Sequence, residues 1–133
     1  MILTTKARYA VMAVIDIASS DAKQPISLLM ISQRQKISLS YLEQIFARLK
    51  KAGIVESVKG PGGGYVLAQD AKKITVDAVI KAIGENIKMT RCGNVKKGCV
   101  TISSKCKTHH LWNGLEKKIY EYLSSISLAD ACK

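Results

Sequence analysis

Aromatic residues, prolines and acidic groups are all scarce in this chain. With one Phe and one Trp in 133 residues, the core must be built from aliphatic side chains. The stacking aromatics of single-stranded RNA modules are not evident either, which argues against an RNA- or ribosome-associated basic protein. Ten Asp and Glu face 21 Lys and Arg, a formal charge of +11. A balance of that size suits a polyanion partner, whether nucleic acid or an anionic surface, and equally a solvated basic face that binds nothing in particular, so composition alone does not choose. No hydrophobic run approaches the length of a membrane helix. Lys6 and Arg8 precede the apolar stretch Tyr9–Ile15 in the manner of a secretory leader, but Asp16 interrupts it and Thr4, Thr5 and Lys6 read as a helix start, so the cytoplasm is the expected compartment. There, four cysteines point to metal or redox chemistry rather than structural disulfides. The length suits one domain with its own core, or a small domain carrying an oligomerisation arm.

The first seventy residues pattern as a winged helix-turn-helix. Thr4 or Thr5 can cap a helix to about Ser19, with Ala10, Val14, Ile17 and Ala18 on one face. After Pro25, Ser27 can cap a short helix over Leu28–Gln35. A tight connection at Lys36 and Ile37 leads into a longer helix ending near Ala52, whose apolar face is Leu42, Ile45, Phe46 and Leu49. Gly53 supplies the positive φ that commonly ends a helix. Short helix, tight turn and longer helix are the helix-turn-helix arrangement.

Two β-prone runs follow, 54–58 and 65–67, around Lys59, Gly60, Pro61 and Gly62–Gly64. That reads as a hairpin wing whose glycines permit close approach to a phosphate or a groove floor. It is no Walker loop, because Lys59 precedes the glycines. The expected DNA-contacting set is Leu28 at the start of the second helix, then Ser38, Ser40, Tyr41, Glu43, Gln44 and Arg48 on the third, and Lys59, Gly60, Pro61 and Gly62 at the wing tip. Hydroxyls there can bond phosphates or base edges, and the Glu43 carboxylate can accept from cytosine N4. Ser40 and Glu43 also have the spacing of a capping box. Arg48, Lys50 and Lys51 read as phosphate contacts or solvated charge rather than base readers.

Thr75 can cap a further helix carrying Val76, Val79, Ile80 and Ile83, stopped by Gly84. Beyond it lie Cys92, Cys99, Cys106 and His109, spaced Cys-x6-Cys-x6-Cys-x2-His, and Arg91–Lys107 holds five basic residues and no acid. Basic surroundings raise the thiolate fraction of each cysteine and can balance the negative charge of thiolate ligands. There is no Cys-x2-Cys pair of the zinc-finger kind, although three Cys and one His are a common zinc set, so spacing alone says metal without choosing zinc or iron–sulfur. Cys132 reads as a free thiol. A Cys–His enzyme would need a nucleophile motif and an orienting residue, and neither is recognisable.

From Leu111 the spacing Leu111, Leu115, Ile119, Tyr122, Ile126 approaches a heptad stripe, with Trp112 and Leu123 beside it. A stripe of this kind beyond a complete domain usually buries against a partner helix.

The segments ISLSYLEQIF (37–46), VKGPGGGY (58–65), RC (91–92) and KCKTH (105–109) together resemble the bacterial winged-helix repressors that regulate iron–sulfur cluster assembly genes. The resemblance covers nearly the whole chain. It implies a homodimeric transcription factor that binds double-stranded DNA and holds a [2Fe–2S] cluster on Cys92, Cys99, Cys106 and His109, with His110 left at the surface and the assembly machinery as cluster donor. Three departures stand out: Lys36 replaces the usual helix-turn-helix glycine, the cysteine spacing is slightly longer, and the C-terminal tail is short.

The expectation is therefore a mostly α protein with a small β-hairpin wing: a winged helix-turn-helix domain over 1–84, a cluster-ligand loop over 85–110, and a dimerisation helix with tail over 111–133. A zinc- or thiol-redox-responsive winged-helix repressor without a cluster is the alternative.

Overall fold

The structure is a computed structural model that describes residues 3–20, 24–87 and 107–133. Its described elements run α1 (Thr5–Ser19), α2 (Leu28–Gln35), α3 (Leu39–Lys51), β1 (Val55–Val58), β2 (Gly64–Leu67), α4 (Val76–Ala82), α5 (His109–Ser125) and α6 (Leu128–Ala131). This is a mostly helical fold with one antiparallel hairpin, pairing Val55 with Leu67 and Val58 with Gly64.

Side-chain caps set the helix starts. Thr4, Ser27, Ser38 and Thr75 each accept a hydrogen bond from the backbone N–H three residues on, satisfying one of the donors every helix start leaves open. Ser38, in a non-helical conformation, caps α3. Ser40 therefore sits inside the first turn, and the Ser40/Glu43 capping box expected from the spacing does not form. The reason is the tight connection: Ile37 is buried, so the chain turns into the helix one residue after it.

α1 buries Ala7, Ala10, Ala13, Val14 and Ile17, and α3 buries Leu42, Ile45, Phe46 and Leu49. These join Ile31, Ile54, Val55, Val79, Ile80 and Ile83 in a single, almost wholly aliphatic core. Asp16 is the polar exception on α1. Its buried carboxylate accepts from Arg34 and from Gln35 Nε2 at 2.7 Å, the latter two both on α2. A buried carboxylate with both oxygens engaged is tolerable, whereas one without partners is not. The interruption of the apolar run at Asp16 is thus the bond that orients α2 on α1.

The wing is not an isolated hairpin. Ile26 and Tyr65 exchange two backbone hydrogen bonds, at 3.0 and 2.8 Å, adding a third edge from the segment ahead of α2. A Cβ on Gly64 would lie 2.3 Å from the Ile26 carbonyl oxygen, so only glycine admits that approach.

The C-terminal region departs from a simple arm. α5 begins at His109, so the expected boundary between ligand loop and helix falls inside its first turn. Its far end folds back: Ile119, Tyr120, Leu123 and Ile126 pack on the core. Val76 N–H donates to Ile126 at 3.0 Å, and Leu128 N–H donates to Ile74 at 2.8 Å. Leu128 is fully buried. Ser127 and Asp130 form a reciprocal capping box that starts α6. The Ser127 backbone N–H and then its hydroxyl hold the Asp130 carboxyl below the usual carboxylate range. That contribution is present above the ordinary carboxylate pKa and is lost as pH falls through the lowered value.

Lys36 occupies the left-handed region at φ 56°, ψ 45°, the position where a glycine carries no Cβ penalty. Lys36→Gly should raise unfolding stability by up to about 1 kcal/mol, read as a higher urea midpoint at unchanged slope. A lower midpoint would show that the lysine side chain contributes more than its backbone costs.

Candidate nucleic-acid interface and ligand loop

Burial of one face of α3 fixes what the other presents. With Leu42, Ile45, Phe46 and Leu49 inside, Ser40, Glu43, Gln44, Ala47 and Lys51 lie along a single exposed stripe at helical spacing. Ser38 is exposed at the helix N-terminus, its oxygen accepting from Tyr41 N–H at 3.1 Å. Tyr41 is half-buried, its ring packed edge-on against Tyr9 at 5.7 Å. It is thereby partly a core residue that keeps a polar end at the rim.

Leu28 opens α2 with its side chain half-buried on the core, while Leu29 and Met30 are exposed beside it. Arg48 is drawn to one side: its Nη1 donates to the Ile83 carbonyl at 2.8 Å, at the end of α4. Sequence spacing carried no signal for that bond, because it joins elements distant along the chain.

At the wing tip, Lys59, Gly60, Pro61 and Gly62 are all exposed. Gly63 N–H donates to Gly60 at 2.9 Å, and Gly62 has φ 74°. Proline followed by a positive-φ glycine within such a bond is the pattern of a type II turn. The wing is tied to α3 where Phe46 packs edge-on against Tyr65, ring centroids 4.9 Å apart. The structure therefore brings the α3 stripe and the wing tip onto one scaffold, with Leu28 half-buried and Arg48 exposed but engaged through Nη1 by Ile83.

Of the expected ligands, Cys92, Cys99 and Cys106 lie outside the described residues. Among the described residues no group of three or more His, Cys, Asp or Glu could hold a metal. His109 is the first residue of α5 and half-buried, whereas His110 is exposed, their rings edge-on at 5.5 Å. Three thiols and an imidazole are a donor set suited to a soft or borderline metal centre. The donor set thus fits an iron–sulfur group in its chemistry. Cys132 is exposed and free, with Ser19 Oγ 3.3 Å from its sulfur.

Among the described residues no helix is long and apolar enough to cross a membrane. A shallow apolar groove of about 300 Å³ runs between α1, α4 and α5, lined by Leu3, Arg8, Val11, Met12, Val76, Ile80 and Leu123. Beside it α5 exposes Leu111 (61%), Leu115 (39%) and Tyr122 (65%), more apolar surface than a solvated helix normally shows.

Comparison with known proteins agrees with this architecture. The sequence profile of the Rrf2 family, described as an iron-dependent transcriptional regulator, matches residues 3–133. The HTH-type transcriptional regulator IscR of Serratia proteamaculans (strain 568) is 51% identical over 130 residues, 98% of this chain and 78% of that protein. Among solved structures, T. potens IscR aligns with a TM-score of 0.78 at 37% identity, covering 98% of this chain and 85% of that one. CymR (YrzC), the global cysteine regulator of B. subtilis, aligns with a TM-score of 0.81 at 30% identity, covering 99% and 96%.

Proposed function

The chain belongs to the Rrf2 family, and from that membership we propose a cytoplasmic, homodimeric regulator that reads iron–sulfur status and adjusts its choice of operators accordingly. It is a DNA-binding transcriptional regulator of the IscR type. The finer reading is a repressor, in the main, of cluster-assembly genes, loaded by the iron–sulfur assembly machinery. The observation that carries it is the union in one chain of an exposed polar α3 stripe, a wing tipped by Lys59, and a Cys3His donor set whose histidine opens α5.

Cys92, Cys99, Cys106 and His109 would hold a [2Fe–2S] cluster. When bound, such a cluster supplies a ligand whose presence depends on iron, sulfide and redox state. The chain's own residues do the rest. Lys59 and the wing glycines approach the phosphate backbone, and this contact orients the domain without reading sequence. Ser40, Glu43 and Gln44 face the major groove. An acidic Glu43 near phosphates is repelled unless it finds a cytosine amino donor, so a small tilt of α3 decides whether a site lacking that donor is tolerated. Two such helices need a two-fold axis to read two half-sites about one helical turn apart. The exposed face of Leu111, Leu115 and Tyr122 and the adjacent groove suit a second copy of α5. The second reading is a zinc- or thiol-redox-responsive winged-helix repressor without a cluster, and the likeness to a cysteine regulator, CymR, is what keeps it beside the first.

Anaerobically purified protein should show visible charge-transfer bands and acid-labile sulfide. Alanine at Cys92, Cys99 or Cys106 should abolish the bands, His109→Ala should leave a labile cluster, and Cys132→Ala should change nothing. A colourless protein carrying zinc or free thiols would select the second reading.

Duplex binding should fall steeply with salt, the slope of log K against log salt being near −7 if each protomer neutralises about four phosphates. Lys59→Ala should weaken all sites and flatten that slope by about one. Glu43→Ala should instead relax discrimination between operators and reduce the difference between loaded and cluster-free protein. Equal binding to any duplex would refute specific recognition.

Leu115→Asp should convert the dimer to monomer in sedimentation and cost most of the operator affinity, while leaving the far-ultraviolet circular dichroism unchanged. A persistent dimer would move the interface elsewhere.

A further inference from the structure

We infer that Arg48 is a positioning residue that sets the pose of the recognition helix from the segment leading into the cysteine loop, rather than a phosphate contact. The inference rests on the regulatory reading above and adds the route by which α3 is adjusted.

Arg48 lies on the flank of α3, past Glu43 and Gln44. Its guanidinium reaches across to the C-terminus of α4, where Nη1 donates to the Ile83 carbonyl at 2.8 Å. A helix end leaves carbonyls without intrahelical partners, and a cation there also complements the helix dipole. Gly84 lies beside this bond at φ 79°, and a Cβ on it would lie 2.9 Å from Arg48 Nη1. A larger residue there would strain the backbone and oblige the flexible guanidinium to shift.

The same strand of chain is clasped again a few residues later. Ile83 and Ile87 are both essentially buried, and Ile87 N–H donates to the Tyr120 hydroxyl at 3.3 Å. Tyr120 belongs to α5, the helix that His109 opens. Lys81, on the last turn of α4, places Nζ 5.7 Å from the Tyr120 ring centroid. The chain enters the cysteine loop just after Ile87 and leaves it into α5, roughly 16 Å of helix before Tyr120, so the Ile87–Tyr120 bond ties the segment entering the loop to α5. From the clasp, Ile83 and Gly84 lead directly to Arg48 and the recognition helix. Each link is a hydrogen bond or a buried contact, the kind of contiguous path able to carry energetic coupling. A shift of α5 against α4 would be felt at α3 as a change in tilt.

The test is a double-mutant cycle on the full chain as purified, with Arg48→Met, Tyr120→Phe and the double variant titrated against a panel of operator duplexes. Tyr120→Phe removes only the hydroxyl that accepts from Ile87. It should change the ranking of operators by at least about 5-fold in the wild-type background and leave the ranking untouched beside Arg48→Met. Arg48→Met should keep the wild-type salt slope. Hydrogen exchange without DNA gives a second measurement, in which Arg48→Met should speed exchange at the Ile87 amide and in the last turns of α3 together.

The proposal is overturned if Arg48→Met flattens the salt slope by about one, or if the effects of the two variants simply add. It is also overturned if Tyr120→Phe weakens all operators equally, as a merely structural role would. Loaded and cluster-free wild type ranking operators identically would refute the sensor reading alone, since the Arg48–Tyr120 cycle is measured without reference to loading.

Discussion

Four side chains of α3, Leu42, Ile45, Phe46 and Leu49, are completely removed from solvent, and the presentation of every outward residue depends on that. Burying each is worth roughly 1.5–3 kcal/mol, so the set contributes on the order of 6–12 kcal/mol, an upper estimate that is comparable to the whole stability of a small domain. Rotating α3 by half a turn would exchange that face for Ser40, Glu43 and Gln44, at a cost the domain could not sustain. The polar stripe is therefore as firmly placed as the core behind it. The Phe46–Tyr65 contact extends the same constraint to the wing, so helix and hairpin are presented together.

Around that anchor, polar bonds decide orientation where apolar packing is permissive. Asp16 draws Arg34 and Gln35 to α1 and so fixes the lie of α2. Ile26 and Tyr65 tie the wing to the segment before α2. Arg48 ties α3 to the end of α4. Aliphatic side chains interlock in many ways at similar energy, whereas a buried carboxylate or an orphan helix carbonyl has few satisfactory partners. The result is a set of helices and a hairpin held in place by specific bonds as well as by the core.

The C-terminal helix divides its loyalties. Ile119, Leu123 and Ile126 lean on the core and the tail is stitched to Ile74 and Val76, while Leu111, Leu115 and Tyr122 remain outside. A heptad-like stripe read as one continuous seam is thus split between the core and an exposed face. A helix held at its far end by its own domain keeps its near end at a defined angle. The stripe's spacing could not show the split, because an apolar residue carries no mark of which surface will cover it.

By itself the sequence determined the local chemistry: the caps at Thr4, Ser27 and Thr75, the buried face of α3, the glycine turn of the wing and the Cys3His spacing. Each depends on residues within a few positions of one another, so periodicity and side-chain type suffice. The tertiary structure alone decided that Ser38 rather than Ser40 caps α3, since the burial of Ile37 sets where the helix can begin. It alone turned Arg48 toward Ile83, packed Tyr41 on Tyr9, and brought the tail back to α1 and α4. Those outcomes join residues far apart along the chain. They are settled by which surfaces meet once the aliphatic core has closed, and no local pattern encodes that meeting.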